Sequence, residues 1–232
     1  DGIRKELVKA YGNSFYLHAE YLETERFPKH EYPGSKFELY NQKYEDVHLD
    51  LLVCVGIDII DPVKKYASSK IVNLPTVTID FDLRRYGLDM DLELNERTTV
   101  VGMRLNILKT MNTAMDLFPE RDSIFFISGV AMADSMYLKA TLVASEEFRT
   151  DRKYSYITNT SMEDALKFAR SCSDRGIIVI PGFNIDTKGV QYYNPEAIRL
   201  ISQAARVPVF AYSDMGFGEG VVGGYLLSFS KI

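Results

Sequence analysis

Acidic side chains gather where apolar runs of strand length end. Asp58 follows Leu51–Gly56, Asp80 and Asp82 follow Thr76–Ile79, Asp186 follows Ile177–Phe183, and Asp214 follows Pro208–Tyr212. In open α/β sheets ligands sit beyond the carboxyl ends of the strands, so these positions mark a rim able to orient hydroxyls or amines. Carboxylates in pairs also serve acid–base and glycosidic chemistry, but no position here is set apart as a buried acid. The plainer role for any one of them is to cap the next helix through a side-chain oxygen.

Other chemistries lack their residues. The glycine-rich run Gly216-Phe-Gly-Glu-Gly-Val-Val-Gly-Gly224 has neither the spacing nor the lysine of a phosphate-binding loop, and it follows a late strand instead of the first. It reads as a turn needing positive φ, or as a loop lining a ligand. No G-x-S-x-G elbow is present, since Ser128-Gly129 lacks the preceding glycine. His18, His30 and His48 stand outside any metal-ligand spacing, and Cys54 and Cys172 form no CxxC pair. No metal and no cofactor are expected.

The elements that must position these residues alternate. Strand-like runs recur at Ser14–Leu17, Leu51–Val55, Thr76–Ile79, Thr98–Val101, Ile124–Ser128, Tyr154–Ile157, Ile177–Ile180 and Pro208–Tyr212. Several are continuous and β-branched, as strands covered on both faces must be. Between them, apolar residues at three- and four-residue spacing predict helices over Lys36–Tyr44, Asp61–Ser68, Leu105–Leu117, Ser135–Phe148, Ser161–Ser171 and Pro195–Ala205. Asp61-Pro62 and Asn194-Pro195 are natural helix starts, and Ser161-Met-Glu-Asp offers an N-cap followed by early acids. This rhythm requires parallel sheet flanked by helices. The polar stretch Arg84–Arg97 interrupts it, which favours two lobes: 1–102, then 103–219, with 220–232 as a segment returning toward the N-terminal lobe. Asp1–Gly12 reads as an amphipathic helix feeding a strand, and the last residues run out without a closing helix, so both ends look trimmed.

The 232 residues carry 32 acids against 27 bases, a net charge of −5 with no basic run, so the footprint of a nucleic-acid binder is missing. No apolar stretch approaches the roughly 18 residues of a membrane span. The 15 Tyr and 13 Phe fall mostly within element patterns, as core residues do.

Three stretches carry a resemblance: Leu117-Phe-Pro-Glu-Arg-Asp-Ser-Ile-Phe-Phe-Ile-Ser-Gly129, Ile177-Ile-Val-Ile-Pro-Gly-Phe-Asn-Ile-Asp-Thr-Lys-Gly189, and Val207 through Gly224. In this order they resemble the type I periplasmic-binding-protein-like extracytoplasmic sensor domains of bacterial histidine kinases, and the related substrate-binding components of ABC transporters. Glu20–Pro28 and Leu51–Asp58 fit the first lobe of the same family. The resemblance implies two Rossmann-like lobes closing on a small molecule. The first lobe would contribute Gly56, Ile57, Asp58 and Asp82. The second would add Gly129, Met132, Asp134, Phe183, Asn184, Asp186, Tyr192, Tyr212, Asp214 and Gly216. It further implies a binding domain and not an enzyme, in a membrane-anchored two-component signalling protein outside the cytoplasm, with attached signalling domains and a possible homodimer. A transporter component is the alternative, and an α/β enzyme using the strand-end carboxylates the lesser one. The acids favour a cationic or neutral polar ligand, whereas helix N-termini at the same rim favour anions.

Overall fold

Two parallel sheets organise the chain, and a computed structural model describes residues 2–23, 31–56, 59–88, 91–148 and 152–226. The elements run α1 (Gly2–Tyr11), α2 (Glu31–Lys43), β1 (Leu52–Val55), α3 (Ile60–Tyr66), α4 (Ser69–Val72), β2 (Thr76–Phe81), β3 (Thr98–Met103), α5 (Ile107–Leu117), β4 (Ser123–Ile127), α6 (Met132–Glu147), β5 (Lys153–Ile157), α7 (Met162–Ser171), β6 (Gly176–Ile180), α8 (Asn194–Ala204) and β7 (Val209–Ala211). Short 3₁₀ turns lie at Arg84–Tyr86 and Asp214–Gly216. The chain divides into two compact units, Ala19–Arg104 and Asp1–His18 with Leu105–Ile232. The first eighteen residues therefore group with the second unit, where the sequence had suggested the first lobe.

The first unit holds a sheet of order β1-β2-β3, with Val53 opposite Val77 and Val77 opposite Thr99. One face is covered by α2 and α3: Phe37 and Tyr40 from α2, Tyr44 just after it, and Ile60 and Val63 from α3 pack with Cys54. The edge strand β3 leaves Val100 and Val101 exposed. Asn95 ties the β3 entry to the loop before β2, donating from Nδ2 to the carbonyls of Val72 and Leu74 at 2.6 and 2.8 Å.

The second unit holds the order β5-β4-β6-β7, all parallel. Its β6, Gly-Ile-Ile-Val-Ile, is buried at every residue, as a strand covered on both faces must be. The spacing of Ala165 and Ala169 on α7, and of Ala197, Ile198 and Ile201 on α8, turns one stripe of each helix onto Ile127, Ile178 and Ile180. Ser161 caps α7, its Oγ accepting from the Asp164 N–H at 3.2 Å, and Pro195 sits in the first turn of α8, where its missing N–H is harmless. After β7 the chain stays with this unit: Val222 donates to the Val209 carbonyl at 2.8 Å, and Tyr225 donates to Thr110 Oγ1 at 3.1 Å. Of the expected return segment 220–232, residues 220–226 thus lie beside β7 and α5, and the remainder lies outside the described residues.

Ser14–Leu17, expected as a strand, is irregular and pairs with no strand. Tyr16 is 95% exposed and Phe15 only half-buried; an apolar run becomes a strand only where a sheet edge receives its N–H and C=O groups. The helix α4 and the turn at Arg84–Tyr86 went unpredicted because each is about one turn long, too short for a period to show.

The contrast between the sheets is measurable. Ile180→Ala, at a fully packed site of β6, should cost about 2–5 kcal/mol in urea unfolding. Val101→Ala, on the open edge of β3, should stay within about 0.5 kcal/mol of the parent chain.

Candidate functional site

All four strands of the second unit point the same way, so the loops after β4, β6 and β7 share one edge of the sheet. The order places β4 next to both β5 and β6, so the connections leaving it diverge there, the usual place for a ligand crevice. At that point the loops are stitched together. Gly129 N–H donates to the Gly182 carbonyl at 3.0 Å and Val130 N–H to the Ile185 carbonyl at 2.7 Å. Ser128 Oγ donates to the Gly182 carbonyl at 3.2 Å.

The knot is drawn by Asp134, wholly buried in the first turn of α6. Its Oδ2 accepts from the N–H groups of Ala131, Asn184 and Ile185 at 3.1, 2.9 and 3.4 Å, and its Oδ1 from Asn184 Nδ2 at 2.8 Å. Burial is the largest influence on this carboxyl and holds it above the usual range, although all four hydrogen bonds favour the ionised form. Glycine is required around it. A Cβ on Gly129 would meet Asp134 Oδ2 and come within 2.6 Å of the Ile185 carbonyl, and one on Gly182 would lie 2.8 Å from Asp134 Oδ1.

Asp186 plays a second tying role, 2% exposed. Its Oδ2 accepts from the Met162 N–H at 3.1 Å, capping α7 from a distant loop, and its Oδ1 accepts from the N–H groups of Lys188 and Val190, both at 2.9 Å. Burial pushes this carboxyl upward most strongly, but the three N–H donors and Lys188 together outweigh it and leave it lowered. Phe183 is fully buried against Tyr192, edge to face at 5.9 Å, and Asn184 is committed to Asp134. Burial and the Asp186 carboxylate hold the half-buried Tyr192 hydroxyl above its usual range. Tyr212 is buried with its hydroxyl 3.1 Å from Thr141 Oγ1. Gly216 is packed on Val221 and Ile198, and Asp214 opens the 3₁₀ turn beside it. Met132, by contrast, is 56% exposed.

In the first unit, Gly56 ends β1 at φ 120°, its N–H donating to the Ile79 carbonyl at 3.1 Å. Ile57 and Asp58 lie outside the described residues. Asp82 receives Arg84 Nε at 2.9 Å, and that hydrogen bond is the main cause holding its carboxyl low. A shallow depression elsewhere in this unit is lined by Glu20, Tyr21, Glu23, Lys36, Leu39 and Tyr40. Its Glu20 is already paired with Lys43 at 2.5 Å and with the Tyr44 hydroxyl at 2.6 Å.

Two aromatic residues at the second unit's strand ends were not singled out in the sequence: Tyr193, 72% exposed at the start of α8, and Phe217, 62% exposed after the turn that follows β7. Their positions, directly before Asn194-Pro195 and between two glycines of Gly216-Phe-Gly218, were the available signals. Cys54 and Cys172 are buried free thiols, and burial pushes Cys54 up to about 11. Among the described residues no cluster of His, Cys, Asp and Glu could hold a metal ion, and no helix is long and apolar enough to cross a membrane.

No protein-family model and no curated protein matches the chain. Solved structures do. A conserved domain protein from Vibrio cholerae O1 biovar El Tor matches at 18% identity and TM-score 0.50, over 82% of this chain and 63% of that one. An extracellular ligand-binding receptor from Verminephrobacter eiseniae matches at 13% identity and TM-score 0.53, over 90% of this chain and 56% of that one. An ABC domain in complex with L-Trp from Streptococcus pneumonia matches at 15% identity and TM-score 0.49, over 82% and 63%. The chain therefore spans less than two thirds of the length of each. With two parallel α/β units in one chain, the fold is of the type I periplasmic-binding-protein-like class.

Asp134 and Asp186, both buried, should titrate with opposite signs. Asp186, lowered in the folded protein, contributes stability that is present above the ordinary carboxyl range and is lost as pH falls through its folded value. Asp134, raised, disfavours the folded state increasingly as pH climbs through its folded value. Asp186→Asn should therefore cost about 1–3 kcal/mol at neutral pH, measured by urea unfolding, and the deficit should narrow below about pH 4. A deficit independent of pH would contradict the roles given to its N–H donors.

Proposed function

We propose that this chain is a small-molecule-binding domain of the receptor type, acting by closure of its two α/β units on a ligand and not by catalysis. The observation that carries the reading is the pairing of two parallel α/β units in one chain, with the likeness of that fold to the extracellular ligand-binding receptor. The strand-end loops after β4, β6 and β7 form the second unit's wall, with Met132, Tyr192, Asp214 and Gly216 as candidate contacts. Gly56, Ile57, Asp58 and Asp82 are the first unit's candidates. The absence of a nucleophile–base pair in the motifs, and the commitment of Asp134 and Asp186 to backbone N–H groups, favour binding over turnover.

In the finer reading the domain works outside the cytoplasm as the sensor of a membrane histidine kinase. Ligand-dependent closure shifts the population of the attached kinase between states, which needs unequal affinity for the open and closed forms. The same closure would serve the substrate-binding component of a transporter. The gene separates the two: a membrane span and kinase segments encoded after Ile232 support the sensor, and a stop codon there supports the transporter component.

A thermal-shift panel of sugars, amino acids, nucleosides, polyamines and aromatic acids tests the binding reading. One class should raise Tm saturably, by linkage worth about 2.7 kcal/mol at a hundredfold excess over Kd, with a fall in radius of gyration in solution scattering. A flat panel from well-folded protein would contradict it.

A further inference from the structure

We infer that the second unit recognises its ligand through an apolar or aromatic face laid on Met132, Tyr193 and Phe217, and not through its strand-end carboxylates. This rests on the small-molecule reading above and names the ligand class for it.

Topology brings the three residues to one rim. Met132 opens α6 after β4, Tyr193 stands at the N-cap of α8 after β6, and Phe217 follows the Asp214–Gly216 turn after β7. The three loops leave consecutive neighbours of one parallel sheet, β4, β6 and β7, which at about 4.8 Å per strand span roughly 10 Å.

Burial separates these side chains from their surroundings. Ala131, Ala133, Phe183 and Tyr212 at the same strand ends are at most 6% exposed, whereas Met132, Tyr193 and Phe217 are 56, 72 and 62% exposed. One exposed aromatic group is unremarkable. Three soft or aromatic side chains in the loops that leave three adjacent strands, on the edge where α/β sheets take ligands, offer groups suited to an apolar face.

Two of the rim's carboxylates are already in use. Asp134 and Asp186 accept from seven N–H groups of the protein's own loops, and Asp214 has an interaction of its own. The N-terminus of α7 is taken likewise, Asp186 and Ser161 accepting from the N–H groups of Met162 and Asp164. Lys188 is paired with Glu163 at 2.9 Å.

The chain contains no tryptophan, so indole emission reports a bound indole alone. L-Tryptophan and L-phenylalanine should bind the whole chain, by fluorescence and calorimetry, while D-galactose, L-glutamate and spermidine should not. Tyr193→Ala and Phe217→Ala should each weaken L-tryptophan binding about 3- to 10-fold, the scale of one aromatic contact, with Tm unchanged in the absence of ligand. Lys139→Ala, exposed on α6, should bind like the parent chain. Saturable binding of galactose, glutamate or spermidine that survives both aromatic substitutions would overturn the apolar assignment and leave the binding function standing. No binding of L-tryptophan or L-phenylalanine by folded protein would overturn the apolar assignment, and the binding function falls only if the wider panel with nucleosides and aromatic acids is flat as well.

Discussion

Four hydrogen-bond donors converge on one buried carboxylate, and the edge of the second unit takes its shape from that meeting. An ionised carboxyl without partners is among the most expensive groups to bury. Asp134 is tolerable because Ala131, Asn184 and Ile185 turn their donors toward it. The same bonds answer backbone groups at the start of α6 and in the loop after β6 that would otherwise be buried unsatisfied. Gly129 and Gly182 follow from this, because any Cβ there would invade the carboxylate.

Asp186 extends the arrangement by capping α7 while folding its own loop between Lys188 and Val190. With both carboxylates turned inward, their polar capacity goes into holding a fixed rim, on which Met132, Tyr193 and Phe217 stand exposed. A rim tied in this way presents its outward groups in a set geometry, which lowers the entropy lost on binding. The two β-sheets differ in the same spirit: β6 is buried at every residue, whereas β3 is a largely exposed edge.

Much of this was legible in the sequence, for physical reasons. Continuous β-branched runs revealed β2, β4 and β6, and three- and four-residue spacing revealed α5, α7 and α8, because core burial dictates both periods. Ser14–Leu17 misled because composition alone does not supply a neighbouring strand. Among the candidate site residues, the acids Asp82, Asp186 and Asp214 were legible as strand-end positions, and Asp134 entered only through the resemblance. What each acid does was not legible, since a ligand anchor and a loop tie use the same residue in the same place. The difference lies in which N–H groups come within hydrogen-bonding distance, a matter of tertiary structure. Tyr193 and Phe217 were missed for the complementary reason: nothing in an aromatic residue's identity tells whether it faces a core or a ligand.

Hydrogen exchange read peptide by peptide, with and without the compound that raises Tm most, tests the central claim that ligand meets the rim held by Asp134. Slowed exchange should appear in residues 128–134, 184–193 and 213–218, with the depression around Glu20 and Tyr40 unchanged. Protection confined to residues 20–40, with the strand-end loops of the second unit unaffected, would contradict the account.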